Sequence, residues 1–238
     1  LLYDALRHGA PEVIYYYEQP FKKLTRQLYA RQWNSVSKYN SRALADHVKH
    51  DLGFSFGQEL RQHNMSHHMS HAAGGYFTSP FKDATIVVID AIGEWEVLTI
   101  WKAEGNKLEK IASRNYPHSL GLFYSAITDF LGFAVNEGEY KMMGLAAFGK
   151  PTFYESLKKT IKFQDNQLIV DTKYYDYVRR TDRSYSDDLV KLLGISPRQP
   201  DIPLEVGENN FQIYADIASS AQKVLEELLF LIFEYAYK

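Results

Sequence analysis

The run Ala84-Thr85-Ile86-Val87-Val88-Ile89-Asp90 constrains this chain more than any other. A continuous, β-branched apolar stretch of that length, bounded by turn residues, is a strand that must find partners in a sheet. The next thirty residues supply them. Ala91-Ile92-Gly93-Glu94 reads as a turn, Trp95 to Ala103 as a second strand, and Gly105-Asn106 as a hairpin turn into a third strand, Lys107 to Tyr116. Ser119 then caps a helix whose Leu120, Phe123, Ile127, Phe130 and Leu131 keep helical spacing, and Gly132 ends it. Glu139 to Phe148 reads as another helix, closed by Gly149 and Pro151.

Strand, turn, strand, hairpin, strand and helix is the order that opens each lobe of ATPases of the actin, sugar-kinase and Hsp70 type. The expected fold class is therefore α/β, with a two-lobed actin-like (ASKHA, ribonuclease-H-like) architecture. In that layout the first turn faces nucleotide phosphates. Gly93 allows close backbone approach to an anion, and Asp90 at the strand end can hold hydrated Mg²⁺. The competing reading of an Asp-x-x-Gly turn between strands is a plain hairpin.

The rest of the chain is read around this core. Residues 1–12 suggest a helix end, 13–17 a buried strand stopped by Pro20, and 21–32, 36–52 and 65–77 helices. Residues 1–82 form the remainder of a first lobe and 83–238 the start of a second. Residues 152–209 are more charged and less regular, an inserted subdomain or cover with short helices near 152–161 and 186–193. A long helix, about 210–237, carries the face Phe211, Tyr214, Ile217, Ala221, Leu225, Leu228 and Ile232. Leu1 and Lys238 both lie inside apparent elements, so the chain reads as a fragment cut at both ends.

Composition narrows the function classes. Net charge is -2 over 238 residues, which offers no positive excess for nucleic acid or an anionic membrane. Cysteine is absent, which rules out disulfides and thiolate metal sites. The longest apolar run, Leu228 to Phe233, is far short of a membrane span. A cytoplasmic location is the expectation.

The sharpest chemical signal is His67-His68-Met69-Ser70-His71. Helix positions four apart share a face, so His67 and His71 can place two imidazole nitrogens on one metal. His68, three from His71, could replace His67. A third ligand, a carboxylate, would be required. Position 68 is histidine, so the glutamate of an HExxH protease is missing. Imidazole with carboxylate suits iron and zinc alike. The alternative is a solvated histidine face or a structural cluster.

Joined in order, these segments resemble one family. HHMSHAAGGYFTSPF (67–81), IVVIDAIGEWEV (86–97), YPHSLGLFYSAITDFLGF (116–133) and NEGEYKMMGLAAFGKP (136–151), with YYYEQPFKKL (15–24), are similar to motifs of the NodU/CmcH-type O-carbamoyltransferases. The resemblance is good over 13–151 and looser beyond.

It implies that carbamoyl phosphate is hydrolysed to carbamate, that ATP converts this to carbamoyl-adenylate, and that the carbamoyl group passes to a hydroxyl on a small acceptor. It implies a divalent metal, iron or zinc, on His67 and His71, and a downstream aspartate ligand for which residues 1–238 offer no position. It also implies ATP with Mg²⁺ near Asp90, Gly93, Glu94, Glu139 and Lys141. Lys141 would contact phosphate as a point charge, or is a surface lysine. Glu94 would support the metal, or is simply exposed on the turn. Arg179, Arg180 and Arg183 would meet an anionic acceptor or form a solvated face.

One departure stands out. Ala91 follows the strand-end aspartate where the family has glycine, and alanine would be strained there if positive φ were needed. Two other readings stay open: an enzyme of the tRNA threonylcarbamoyl-adenosine type or another actin-like-fold ATPase, and a metal-binding or interaction module without catalysis. The fragment alone is expected to be inactive and prone to self-association through exposed edges and apolar faces.

Overall fold

The computed structural model describes residues 12–30, 61–207 and 209–238, with Trp33, Asn40, Arg42, Ala45, Asp46 and His50 as isolated positions. The helices expected at 1–12 and 36–52 therefore lie almost wholly outside the described residues. The chain is mixed α/β and divides into two compact units. One runs to Thr78 and includes Gly93–Trp95; the other comprises Ser79–Ile92 and Glu96–Lys238.

In the first unit, β1 (Val13–Tyr16) pairs in parallel with β2 (Arg61–Asn64), Val13 opposite Arg61 and Tyr16 opposite Asn64. β1 was expected to be buried, yet Tyr15 is 70% exposed. Among the described residues β1 has one partner strand, and its burial pattern is mixed rather than that of an interior strand. Helix α1 (Pro20–Tyr29) begins directly after it. Pro20, taken only as a strand stop, opens the helix, where its missing N–H costs nothing. Helix α2 (His67–Phe77) comes after β2 and buries His68, Ala72 and Tyr76 at the i, i+4, i+8 spacing of one face.

In the second unit, β3 (Asp83–Gly93), β4 (Glu96–Glu104) and β5 (Lys107–Asn115) form a sheet in that order. β4 and β5 are antiparallel, with register shifts near Glu96 and Ile100. The turn expected at Ala91–Glu94 lies further along: β3 continues through Ala91–Gly93 and the turn falls at Glu94-Trp95. Glu94 takes φ 61°, whereas Ala91 is not among the positive-φ residues. Alanine in place of glycine at position 91 therefore carries no left-handed strain here.

Helix α3 (Leu120–Phe130) is capped by Ser119, whose Oγ accepts from Leu122 N. Phe123, Ala126, Ile127, Phe130 and Leu131 are completely buried. They anchor a core shared with α4 (Glu139–Ala146), α5 (Tyr154–Lys158), the hairpin β6 (Ile161–Gln164) and β7 (Gln167–Val170), α6 (Asp187–Leu193) and α7 (Asn209–Tyr237). The hairpin was not anticipated. Helix α7 lines this core with Phe211, Ala215, Ile217, Ala218, Ala221, Val224, Leu228 and Ile232, while Tyr214 and Leu225 pack at its edge. Among the described residues, no helix is long and apolar enough to cross a membrane.

Asp216 ties α7 to the segment after α4. Its Oδ1 accepts from Lys150 N at 2.8 Å and its Oδ2 from Thr152 Oγ1 at 3.1 Å. Burial opposes its ionisation, but these donors, with Gln212, outweigh that and hold its carboxyl below the ordinary 3.8. The stabilisation is therefore present above that value and is lost as pH falls from it through the lower folded value. Asp216→Asn is expected to cost about 1.5–3 kcal/mol at neutral pH. The gap from wild type should shrink as denaturant midpoints are traced into acid below the ordinary carboxylate range; a gap that is constant with pH contradicts the assignment.

Candidate metal centre

The geometry that makes His67 and His71 a pair is local to α2. The two residues lie one turn apart at its start, and their Nε2 atoms are 3.1 Å from each other. Two imidazole nitrogens each roughly 2.0–2.1 Å from one tetrahedral ion would be separated by about 3.3 Å. The observed spacing thus fits two donors to one metal, and a divalent first-row ion suits them. The rings meet edge on, with centroids 4.8 Å apart. His71 is exposed and His67 is half-buried, so the pair opens to one side.

His68 is different. It has no exposed surface, and it lies on the face that packs into the unit rather than on the face of the pair. The suggestion that it could replace His67 is not supported by this placement, because a 100° step along the helix turns its ring inward.

Glu18 is a participant that the residue pattern did not single out. It is 8% exposed, with Oε1 at 3.8 Å from His67 Nδ1 and Oε2 at 2.7 Å from Lys23 Nζ. At 3.8 Å Glu18 acts on the His67 ring through its charge rather than through a hydrogen bond. Tyr17 adds an edge contact to the His67 ring at 5.5 Å. Glu18 and His67 are far apart in sequence and become neighbours only because parallel pairing of β1 and β2 starts α1 and α2 side by side. The one signal for Glu18 was its place within YYYEQPFKKL.

Gly93 lies against the same rings. A Cβ there would fall 2.4 Å from His67 Cδ2 and 2.8 Å from His68 Cδ2, so only glycine lets the turn come this close. Glu94 is 3% exposed, which excludes the turn-exposed reading. Burial raises its pKa, against the lowering effects of the Gln19 N–H, Lys22 and His67.

The other expected site residues belong to the second unit. Asp90 Oδ1 accepts from Ala91 N at 2.7 Å, and Ser119 Oγ donates to Ala91 O at 2.7 Å. A Cβ on Gly121 would lie 2.8 Å from Ala91 Cα, so the start of α3 is pressed against the Asp90-Ala91 backbone. Glu139 Oε1 accepts from Ser125 Oγ at 2.9 Å and from Asn136 N at 3.0 Å. Burial pushes its pKa up, but these donors prevail and hold it below the ordinary value. Helix α3 thus touches both Asp90-Ala91 and Glu139. Lys141 is exposed, its Nζ 5.9 Å from the Tyr140 ring centre. Arg180 pairs with Asp182, and Arg183 forks between Asp176 at 2.8 Å and Asp187 at 2.9 Å.

An α/β chain with this histidine pair and this strand order has a family to which it can be compared. Residues 21–238 match the family described as Carbamoyltransferase N-terminus, and the chain belongs to that family. Among similar proteins is Uncharacterized protein sll1178 of Synechocystis sp., 36% identical over 177 residues, which cover 72% of this chain and 27% of that protein. Nodulation protein NolNO of Sinorhizobium fredii is 28% identical, covering 77% of this chain and 25% of its own length. Nodulation protein NolO of Bradyrhizobium diazoefficiens is also 28% identical, covering 70% of this chain and 27% of its own. The chain thus spans about a quarter of the length of these relatives.

Proposed function

We propose that this chain is the part of an O-carbamoyltransferase that holds a divalent metal, iron or zinc, on His67 and His71. The carrying observation is the 3.1 Å Nε2 to Nε2 spacing in a member of the carbamoyltransferase N-terminus family. The complete protein would hydrolyse carbamoyl phosphate to carbamate and phosphate, convert the carbamate with ATP and Mg²⁺ to carbamoyl-adenylate and pyrophosphate, and pass the carbamoyl group to an acceptor hydroxyl with release of AMP.

When bound, the metal would polarise carbamoyl or phosphoryl oxygens as charge develops on them. His67 and His71 supply two donors, a further carboxylate completes the set, and the Glu18 carboxylate adds negative charge beside His67. Asp90, with Glu139 and Lys141, serves the nucleotide side. The proposed fold is the actin-like ATPase type. Its support is the three-stranded sheet leading directly into α3, which packs onto the Asp90 strand end through Ser119 and Gly121.

Acceptor choice is assigned to the region that includes residues 152–209. A cavity of about 450 Å³ opens there, lined by Asp129, Phe133, Tyr185 and Arg198. The test uses the full-length parent with radiolabelled carbamoyl phosphate and ATP. AMP formation that requires carbamoyl phosphate is the expected result. A parent that makes no AMP above background under these conditions ends the proposal.

A further inference from the structure

The starts of α1 and α2 share an unusual deficiency. Neither N-cap residue, Gln19 or Ser66, makes a side-chain capping hydrogen bond, and neither helix has an acidic residue in its first turn. Helix N-termini present unsatisfied N–H groups and partial positive charge, so an anion is called for at each. Glu94 provides it from a distant part of the chain. Its Oε1 accepts from Gln19 N at 2.5 Å, and the His67 backbone N–H is a second hydrogen-bond donor to its carboxylate.

The neighbouring residues of the turn reinforce this grip. Trp95 Nε1 donates to Thr25 Oγ1 on α1 at 2.9 Å, and its ring lies 5.4 Å from that of Tyr29. Gly93 abuts the His67 and His68 rings. Glu94 does this from a left-handed backbone, φ 61°, that favours glycine or asparagine. The requirement at this position is thus for a long acidic side chain, beyond what the turn itself needs.

We propose that Glu94 is the positioning residue of the histidine pair: its carboxylate joins the starts of α1 and α2 and sets the bearing of His67 and, one turn on, His71. This rests on the metal reading of that pair. It also gives Glu94 a role other than contact with phosphate. Its carboxylate already occupies the N–H groups that would receive an anion, and its charge would repel one.

Asparagine tolerates the left-handed backbone but is too short to reach both helices, so Glu94→Asn separates turn geometry from positioning. Glu94→Gln keeps the length and retains one acceptor oxygen. Amide exchange measured residue by residue by NMR, and titration with Zn²⁺ alone, are the two readouts on the full chain. In Glu94→Asn, exchange at the Gln19 and His67 amides should rise about tenfold or more over that in the middle of both helices, and Zn²⁺ affinity should drop about tenfold. Glu94→Gln should fall between this variant and wild type.

Unchanged exchange at both amides, or acceleration spread evenly along the helices, overturns the proposal. So does a Zn²⁺ affinity that is the same in Glu94→Asn as in wild type. If wild type itself takes up no Zn²⁺, the metal reading fails on its own account. The exchange data then still decide whether Glu94 holds the two helix starts.

Discussion

Purified wild-type protein is expected to carry iron or zinc, and His71→Ala is expected to lose it. His71 is exposed, so its removal should alter stability by no more than about 0.5 kcal/mol. Metal affinity, however, should fall by about 100-fold or more, since loss of a ligand exceeds the 10–100-fold cost of losing an outer-shell partner. His67→Ala should do the same, with some loss of stability because it is half-buried beside Glu18 and Gly93. His68→Ala is the control. It should destabilise the first unit, where His68 is fully buried, and leave metal content nearly intact. Elemental analysis and Zn²⁺ titration read all four proteins, with the full-length parent measured alongside in case further ligands lie outside this chain. If the parent is also free of metal, or keeps it in both His67→Ala and His71→Ala, the pair is structural and the proposed chemistry falls with it.

Phe123→Ala should cause a comparably large effect on folding. Phe123 is fully buried on α3 and meets Tyr175 edge on, at 6.2 Å between ring centres. Tyr175 is itself buried and shares a hydrogen bond with Thr160. Truncating a buried phenylalanine costs about 3–5 kcal/mol in lost transfer energy and residual cavity. Against a total stability on the order of 5–15 kcal/mol this is a large share. The denaturant midpoint should drop accordingly, and side chains of the 152–178 segment should loosen with it. A loss below about 1 kcal/mol would mean that α3 is not the centre of this core.

Much of the second unit was legible in the chain. ATIVVID, the Gly105-Asn106 turn and the spacing of Leu120, Phe123, Ile127 and Phe130 are short-range signals, and sheet, hairpin and helix appear where they indicate. The turn at Glu94-Trp95 was less legible. Ala91-Ile92-Gly93-Glu94 looks like a turn in sequence, but β3 runs on to Gly93, where a glycine serves close approach to the His67 and His68 rings. The hairpin β6–β7 was missed, since its strands are only four residues each and periodicity over so short a stretch says little.

The histidine pair was readable because both residues lie on one helix at a spacing that geometry interprets. Glu18 and Glu94 were not comparably readable. Each reaches His67 across a long sequence separation, through strand pairing and a helix start that no local pattern announces. The pattern left Glu94 open between supporting the metal and standing exposed on the turn, and its burial removes only the second of these.

The segment between α4 and α7, read in sequence as an inserted subdomain or cover, contributes Leu157, Ile161, Leu168, Val170, Tyr175, Leu189 and Leu193 to the same core as α3. Arg198 binds it further, donating to the carbonyls of Leu131 and Gly132 at the end of α3. The whole segment therefore cannot be exchanged as a cassette without disturbing that core. The freedom lies in exposed stretches such as 164–167, 179–182, 199–203 and 205–207, whose side chains the core does not need. Variety in this region should accordingly arrive as local rewriting of these exposed stretches over an interior that stays put.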